Sequence, residues 1–290
     1  MLCAWSRYHS FVDSPSTNVA MALLVKLSLT VFLVLSHLAS ISSHGTHSTH
    51  YTIDSNVNET ALDKYLNRCM AGISHKDFPG PEPNLHDQCA PWAERACCDP
   101  VTTFQFHTHE TWYNFDWNHC EKELSASCQR WMVQDLCFYE CSPNVAPWLV
   151  EHRISIRDER FVGVPLCKSE CDLWFSACKN DYTCKDDWSK GWNWTTGTNK
   201  CPEGSQCSTF QDTFETAENF CQNLWGGSFE VVDDEEQCMF LWFSGDVNPN
   251  DEVALRKALE LLETGGQSRI ESWTCLVLSI ATVFLSLFIS

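Results

Sequence analysis

The 290-residue chain has no CxxC pair, no GxSxG elbow, no HExxH and no glycine-rich phosphate loop. These absences remove the usual signatures of a cysteine-rich zinc site, a serine hydrolase, a zinc protease and a nucleotide-binding fold. Basic residues are scarce as well, 19 against 38 acidic ones, and the net charge of -19 opposes nucleic-acid binding, which needs a basic surface. No Pro/Ser-rich linker divides the middle of the chain, and neither an internal repeat nor a heptad pattern occurs. A hydrolase working through two carboxylates is the one enzyme class that the many Asp and Glu residues leave open. No catalytic centre is identifiable.

What is abundant is cysteine and tryptophan. Sixteen of the 18 cysteines fall between Cys69 and Cys238: Cys69, Cys89, Cys97, Cys98, Cys120, Cys128, Cys137, Cys141, Cys167, Cys171, Cys178, Cys184, Cys201, Cys207, Cys221 and Cys238. An even set of this size suits an oxidising compartment and predicts eight disulfides in one domain. Such a domain is expected to unfold under reducing agent.

The termini agree with that compartment. Residues 1–43 carry a secretory signal in the apolar run from Met21 to Ser40, and Met21 offers an alternative start to Met1. A polar, histidine-bearing lead-in at 44–60 is expected to be disordered rather than metal-binding. The cysteine-rich domain is placed at 61–250 and a stalk at 251–266. Residues 267–290 are read as a glycolipid-anchor signal cleaved near Gly266: small residues at Gly265, Gly266 and Ser268, a short polar spacer, then an apolar tail from Trp273 to Ser290 with no basic stop after it. A membrane span is the other reading, although about 18 apolar residues is near the lower limit for crossing. Signal and anchor cleavage would remove Cys3 and Cys275 and leave the sixteen core cysteines. Sequons at Asn58 and Asn193 fit the same route.

Periodicity and breakers predict helices over Leu62–Gly72, Glu121–Glu140, Ser169–Asn180 and Ala217–Trp225. Short β-prone pieces are expected at Thr111–Asp116 and Phe161–Val164. The fold class is therefore a helix-rich α+β domain with long, disulfide-pinned loops.

Three groups of residues carry candidate chemistry. Asp135 and Tyr139 lie one turn apart on the second helix among apolar neighbours, where a carboxylate needs an arginine, a cap or a ligand presenting paired N–H donors. Arg157 and Arg160 belong to a charged stretch that by itself reads as a solvated loop. Trp188, Trp192 and Trp194 occur within seven residues of a polar segment lacking helical period, either as core packing or as a stacking surface. Between them Lys190 could meet a carboxylate, and Gly191 would allow close backbone approach.

Several segments together resemble the folate receptor family, which is related to riboflavin-binding protein. They are Cys89-Ala-Pro-Trp-Ala-Glu-Arg-Ala-Cys-Cys98, Tyr113-Asn-Phe-Asp-Trp-Asn-His-Cys120, Cys137-Phe-Tyr-Glu-Cys-Ser-Pro-Asn-Val-Ala-Pro-Trp148, Trp188-Ser-Lys-Gly-Trp-Asn-Trp194 and Gly245-Asp-Val-Asn-Pro-Asn250. The resemblance implies a frame of eight disulfides around a deep pocket for folate and reduced folates, taken up by endocytosis from a lipid-anchored position on the plasma membrane. It implies no metal, no redox cofactor and no catalysis. Asp135 would receive the aminopyrimidinone edge of the pterin with Tyr139 close by, and Tyr113 and Trp225 would sandwich the ring. Arg157, Arg160 and Ser228 would donate to its carbonyl side. Trp188, Lys190, Gly191, Trp192 and Trp194 would wall the aminobenzoate and glutamate tail.

The chain departs from the family pattern at Ile156, where a tryptophan is common, at Ser189, commonly histidine, and at Phe229, commonly tyrosine. An egg-surface adhesion receptor of the Juno type, meeting a gamete surface protein without binding folate, is the alternative function within the same family.

Overall fold

The computed structural model describes residues 59–120, 122–245 and 247–264. The signal region, Asn58, Gly266 and the apolar tail lie outside them. Among the described residues no helix is long and apolar enough to cross a membrane.

Local chemistry sets each helix. Helix α1 (Glu59–Leu66) is shorter than the expected Leu62–Gly72, because Arg95 donates to the Leu66 carbonyl and the Cys69–Cys97 disulfide pulls the chain away. Helix α2 (Pro100–Thr108) was not expected, yet its start is explicit: Asp99 caps the Thr102 N–H at 2.7 Å and Pro100 occupies the first turn. The central helix α3 (Ala126–Cys141) begins five residues later than predicted. Ahead of it, Leu124 N donates to Asn118 Oδ1 and Ser125 N to Asp181 Oδ1, so the backbone is satisfied side-on until Ser125 caps Cys128 N. The helix stops at Ser142, which precedes proline and is extended.

Helices α4 (Lys168–Cys178), α5 (Phe210–Phe214) and α6 (Ala217–Asn223) complete the bundle. Helix α6 ends where Gly226 (φ +56°) and Gly227 (φ +79°) turn left-handed, their N–H groups bonding Asn223 and Gln222 carbonyls. That turn fixes Trp225 at the helix end.

Three two-stranded sheets accompany the helices. Strands β1 (Leu149–Ile154) and β2 (Arg157–Phe161) form an antiparallel hairpin, with Ser155 and Ile156 between them. Strand β3 (Val164–Cys167) runs parallel to β6 (Phe229–Val232), and β4 (Tyr182–Thr183) pairs antiparallel with β5 (Ser208–Thr209). The Phe161–Val164 stretch is the link from β2 to β3 rather than a strand of its own. At Thr111–Asp116 only one bridge forms, between Trp112 and Phe115, so that piece is a tight turn.

All sixteen core cysteines are paired: Cys69–Cys97, Cys89–Cys137, Cys98–Cys141, Cys120–Cys207, Cys128–Cys178, Cys167–Cys238, Cys171–Cys221 and Cys184–Cys201. Three of the eight bridges leave α3, which makes this helix the mast of the domain. Around it the core is aromatic, with Phe138 edge-on to Trp92 and Phe161, and Trp174 edge-on to Phe220.

Most of the segment expected as a stalk, 251–266, is helical. Residues 250–264 form a seventh helix, α7, with Val253, Ala254 and Ala258 buried against the domain. Asn250, itself fully buried, bonds both the N–H and the carbonyl of Phe240, and Asn248 donates to Asn144. The Asn-Pro-Asn segment thus ties α7 to the loop after α3.

Candidate functional site

A cavity of about 190 Å³ opens beside the C-terminal half of α3. Five chain segments meet there: α3 itself, the β1–β2 hairpin, the Trp112–Phe115 turn, the tryptophan-rich loop after β4, and the end of α6.

Asp135 projects from α3 and is 4% exposed. Its Oδ2 accepts from Trp225 Nε1 at 2.7 Å, and no other hydrogen bond to this carboxylate is made among the described residues. Burial pushes its pKa up to about 7, against the opposing pull of the indole bond. A carboxylate in that condition is costly when ionised and bare, and it is stabilised by any ligand that brings N–H donors to its second oxygen.

Aromatic walls flank it. Tyr113 and Asn114 both have positive φ, +53° and +63°, and Trp112 and Phe115 exchange backbone hydrogen bonds across them. This is the left-handed two-residue turn otherwise favoured by glycine and asparagine, here spent on presenting a tyrosine to the cavity. Burial first, and then the neighbouring Glu140 charge, push the Tyr113 phenol above its ordinary pKa. Trp188 lies at the floor, 2% exposed, with its Nε1 bonded to Thr183 Oγ1 at 3.0 Å and its ring edge-on to Trp225. It is core and cavity lining at once. Trp194 stands at the rim, half exposed.

The hairpin supplies the cationic side. Arg157 donates to the Tyr139 hydroxyl, while its buried Nε has no hydrogen-bond partner among the described residues. Arg160 Nη2 is held by the Trp225 and Gly226 carbonyls at 2.8 and 2.7 Å and by Ser228 Oγ at 3.2 Å. The stretch read as a solvated loop is therefore strand β2, whose arginines are anchored toward the cavity. Burial drives the Tyr139 phenol to about 12 despite the Arg157 charge. Ile156, Ser189 and Ser228 also line the space.

Three expected wall residues do not line it. Lys190 turns to solvent and pairs with Asp187 at 2.9 Å. Gly191 serves a left-handed turn, φ +75°. Trp192 folds back, donating from Nε1 to the Trp188 carbonyl at 2.8 Å and packing edge-on against Phe115 and His119. Asn193, between the two tryptophans, is exposed.

Sequence reasoning passed over Trp112, Phe115, Trp117, Leu136, Glu140 and Phe161, which complete the lining. A readable signal existed for the turn: an asparagine flanked by aromatics suits a hairpin tip. Glu140 is fully buried; its Oε1 accepts from Trp112 Nε1 at 2.8 Å, and His75 Nε2 lies 3.3 Å from its other oxygen. Burial raises its pKa, with His75 opposing.

Residues 68–240 match the model of the folate receptor family. The chain is 46% identical over 194 residues to folate receptor gamma of Homo sapiens, covering 65% of this chain and 79% of that protein. Identity to folate receptor alpha of Homo sapiens is 41% over 199 residues, 67% of this chain and 77% of that protein. With riboflavin-binding protein of Gallus gallus it is 34% over 199 residues, 66% and 76% respectively.

Proposed function

This chain belongs to the folate receptor family, and we propose that it is a folate-binding receptor, taking folate or reduced folates into the cavity beside α3. The observation that carries the reading is Asp135: a buried carboxylate with one oxygen committed to Trp225 and the other without a hydrogen bond among the described residues, inside an aromatic cavity. An aminopyrimidinone edge supplies two parallel N–H donors and so matches a carboxylate in plane. On this reading Tyr113 and Trp225 stack on the flat ring, and Arg157, Arg160 and Ser228 meet its carbonyl side. The aminobenzoate and glutamate leave past Trp188 and Trp194, with Lys190 within reach of the tail once it releases Asp187.

The family is one of binding proteins and receptors, and the residues around the cavity are used for recognition rather than turnover. Secretion, glycosylation at Asn58 and Asn193, a lipid anchor at Gly266 and delivery by endocytosis form the cellular half of the proposal, supported by the terminal signals and the paired cysteines. Calorimetric titration of the fully oxidised protein with folic acid at neutral pH tests it. Saturable one-to-one binding, lost in Asp135→Ala, is expected; absence of heat from correctly oxidised protein would sink the reading.

A further inference from the structure

Behind Ser189, which lines the cavity, Asp187 holds the Lys190 ammonium. Lys190 Nζ lies 2.9 Å from Asp187 Oδ2, yet the two partners are unequally held: the lysine side chain is 79% exposed and the aspartate side chain 16%. Asp187 Oδ1 accepts from Ser189 N at 2.9 Å and from Ser189 Oγ at 2.6 Å. The same carboxylate is packed against Gly226, where an added Cβ would come within 3.2 Å of Asp187 Oδ1 and 2.5 Å of Ser189 Oγ. Gly226 in turn is clamped through its carbonyl by Arg160. The carboxylate is thus fixed behind the lining residues Ser189 and Trp225, whereas the ammonium stands in solvent.

The electrostatic consequence reaches further than the pair. Burial, the largest influence on Asp187, favours its neutral form, but the bonds from Ser189 and Lys190 outweigh it and hold the group below the usual carboxylate range. It stays ionised at neutral pH, and its charge also acts on Arg160. A ligand tail that draws Lys190 away must therefore settle its own carboxylates beside a fixed negative charge, with Asp186 next to it. An exposed ion pair is weak, so stripping the lysine is easy; the stranded aspartate is the larger effect.

We infer that Asp187 is a specificity-determining residue that screens the rim cations and makes the receptor discriminate against ligands with multiply anionic tails. The inference rests on the folate-binding reading and adds to it a preference within that substrate class. Its test is a series of ligands sharing one ring system: pteroic acid, folic acid and pteroyltriglutamate, with one, two and four carboxylates.

Affinities of each for the wild-type protein, Asp187→Asn and Asp187→Asn/Lys190→Ala are measured by calorimetry at neutral pH. Asparagine keeps the oxygen that Ser189 uses. The expected result is that Asp187→Asn tightens folic acid by about three- to fivefold, the size of one partly exposed charge interaction, with a smaller gain for pteroic acid and a larger one for the triglutamate. The gradient should shrink when Lys190 is also removed and when salt is raised. An equal gain for all three ligands, or none, overturns the inference while leaving folate binding intact. Failure of the wild-type protein to bind any of the three overturns both.

Discussion

Acidification should loosen the ligand while tightening the empty protein, and both effects trace to Asp135. The carboxylate is buried, and its pKa in the empty cavity stands at about 7. A ligand that donates hydrogen bonds to it requires the ionised form, so binding below that pKa must first expel a proton. For a bound-state pKa far below 7, affinity falls in proportion to 1 + 10^(pKa − pH), about 25-fold between about pH 7.5 and about pH 5.5, or about 2 kcal/mol. The stability of the empty protein moves the other way. Because the folded pKa lies above the unfolded value, the native state holds the proton more tightly between the two. This group therefore adds about 2 kcal/mol of stability over the same fall in pH.

Titrations with folic acid at several pH values, in two buffers of different ionisation enthalpy, count the proton released. Nearly one proton per ligand is expected at about pH 6. Glu140, Tyr139, Arg157 and Arg160 surround the same cavity, and Asp135→Asn isolates the one group: its affinity should be weaker at neutral pH and almost independent of pH. A wild-type dissociation constant constant within about twofold over this range, or no proton release, would refute the assignment.

Ile156 offers a gain-of-function test: Ile156→Trp at the hairpin tip should tighten folic acid by about 0.5 to 1.5 kcal/mol through an added stacking wall, and an unchanged titration would mean the tip does not touch the ligand. Removing the Cys98–Cys141 bridge, which spans 43 residues and pins the end of α3, should cost about 2 to 4 kcal/mol in denaturant unfolding of the double serine variant. Ala258→Asp places a charge at a fully buried position of α7. It should lower stability by about 2 to 4 kcal/mol, and an unaltered melting temperature would mean that α7 does not contribute to the core.

Features that depend on near neighbours were legible in the chain itself. The even cysteine set, the placement of Asp135 and Tyr139 one helical turn apart, and the helices that stop ahead of Pro143 or of Gly226-Gly227 follow from spacing, backbone chemistry and composition. The cap at Asp99-Pro100 is equally local. Cysteine pairing was not legible, because sixteen thiols allow a vast number of connectivities and only the packing of α3 against α4 selects Cys128–Cys178.

The direction of each side chain around the cavity was equally out of reach. Lys190 and Trp194 stand four residues apart in one loop, yet one salt-bridges Asp187 at the surface and the other lines the rim, a choice made by the left-handed turn at Gly191. Arg157 and Arg160 read as solvated until strand β2 and the carbonyls of Trp225 and Gly226 gave them partners. The sequence by itself determined the even, oxidised cysteine set, the four helices whose period it carries and the placement of Asp135 and Tyr139 one turn apart, since those rest on local chemistry. Only the tertiary structure decided which aromatic and charged groups surround it, because hydrogen bonds between segments 90 residues apart, such as Trp225 to Asp135, leave no local trace.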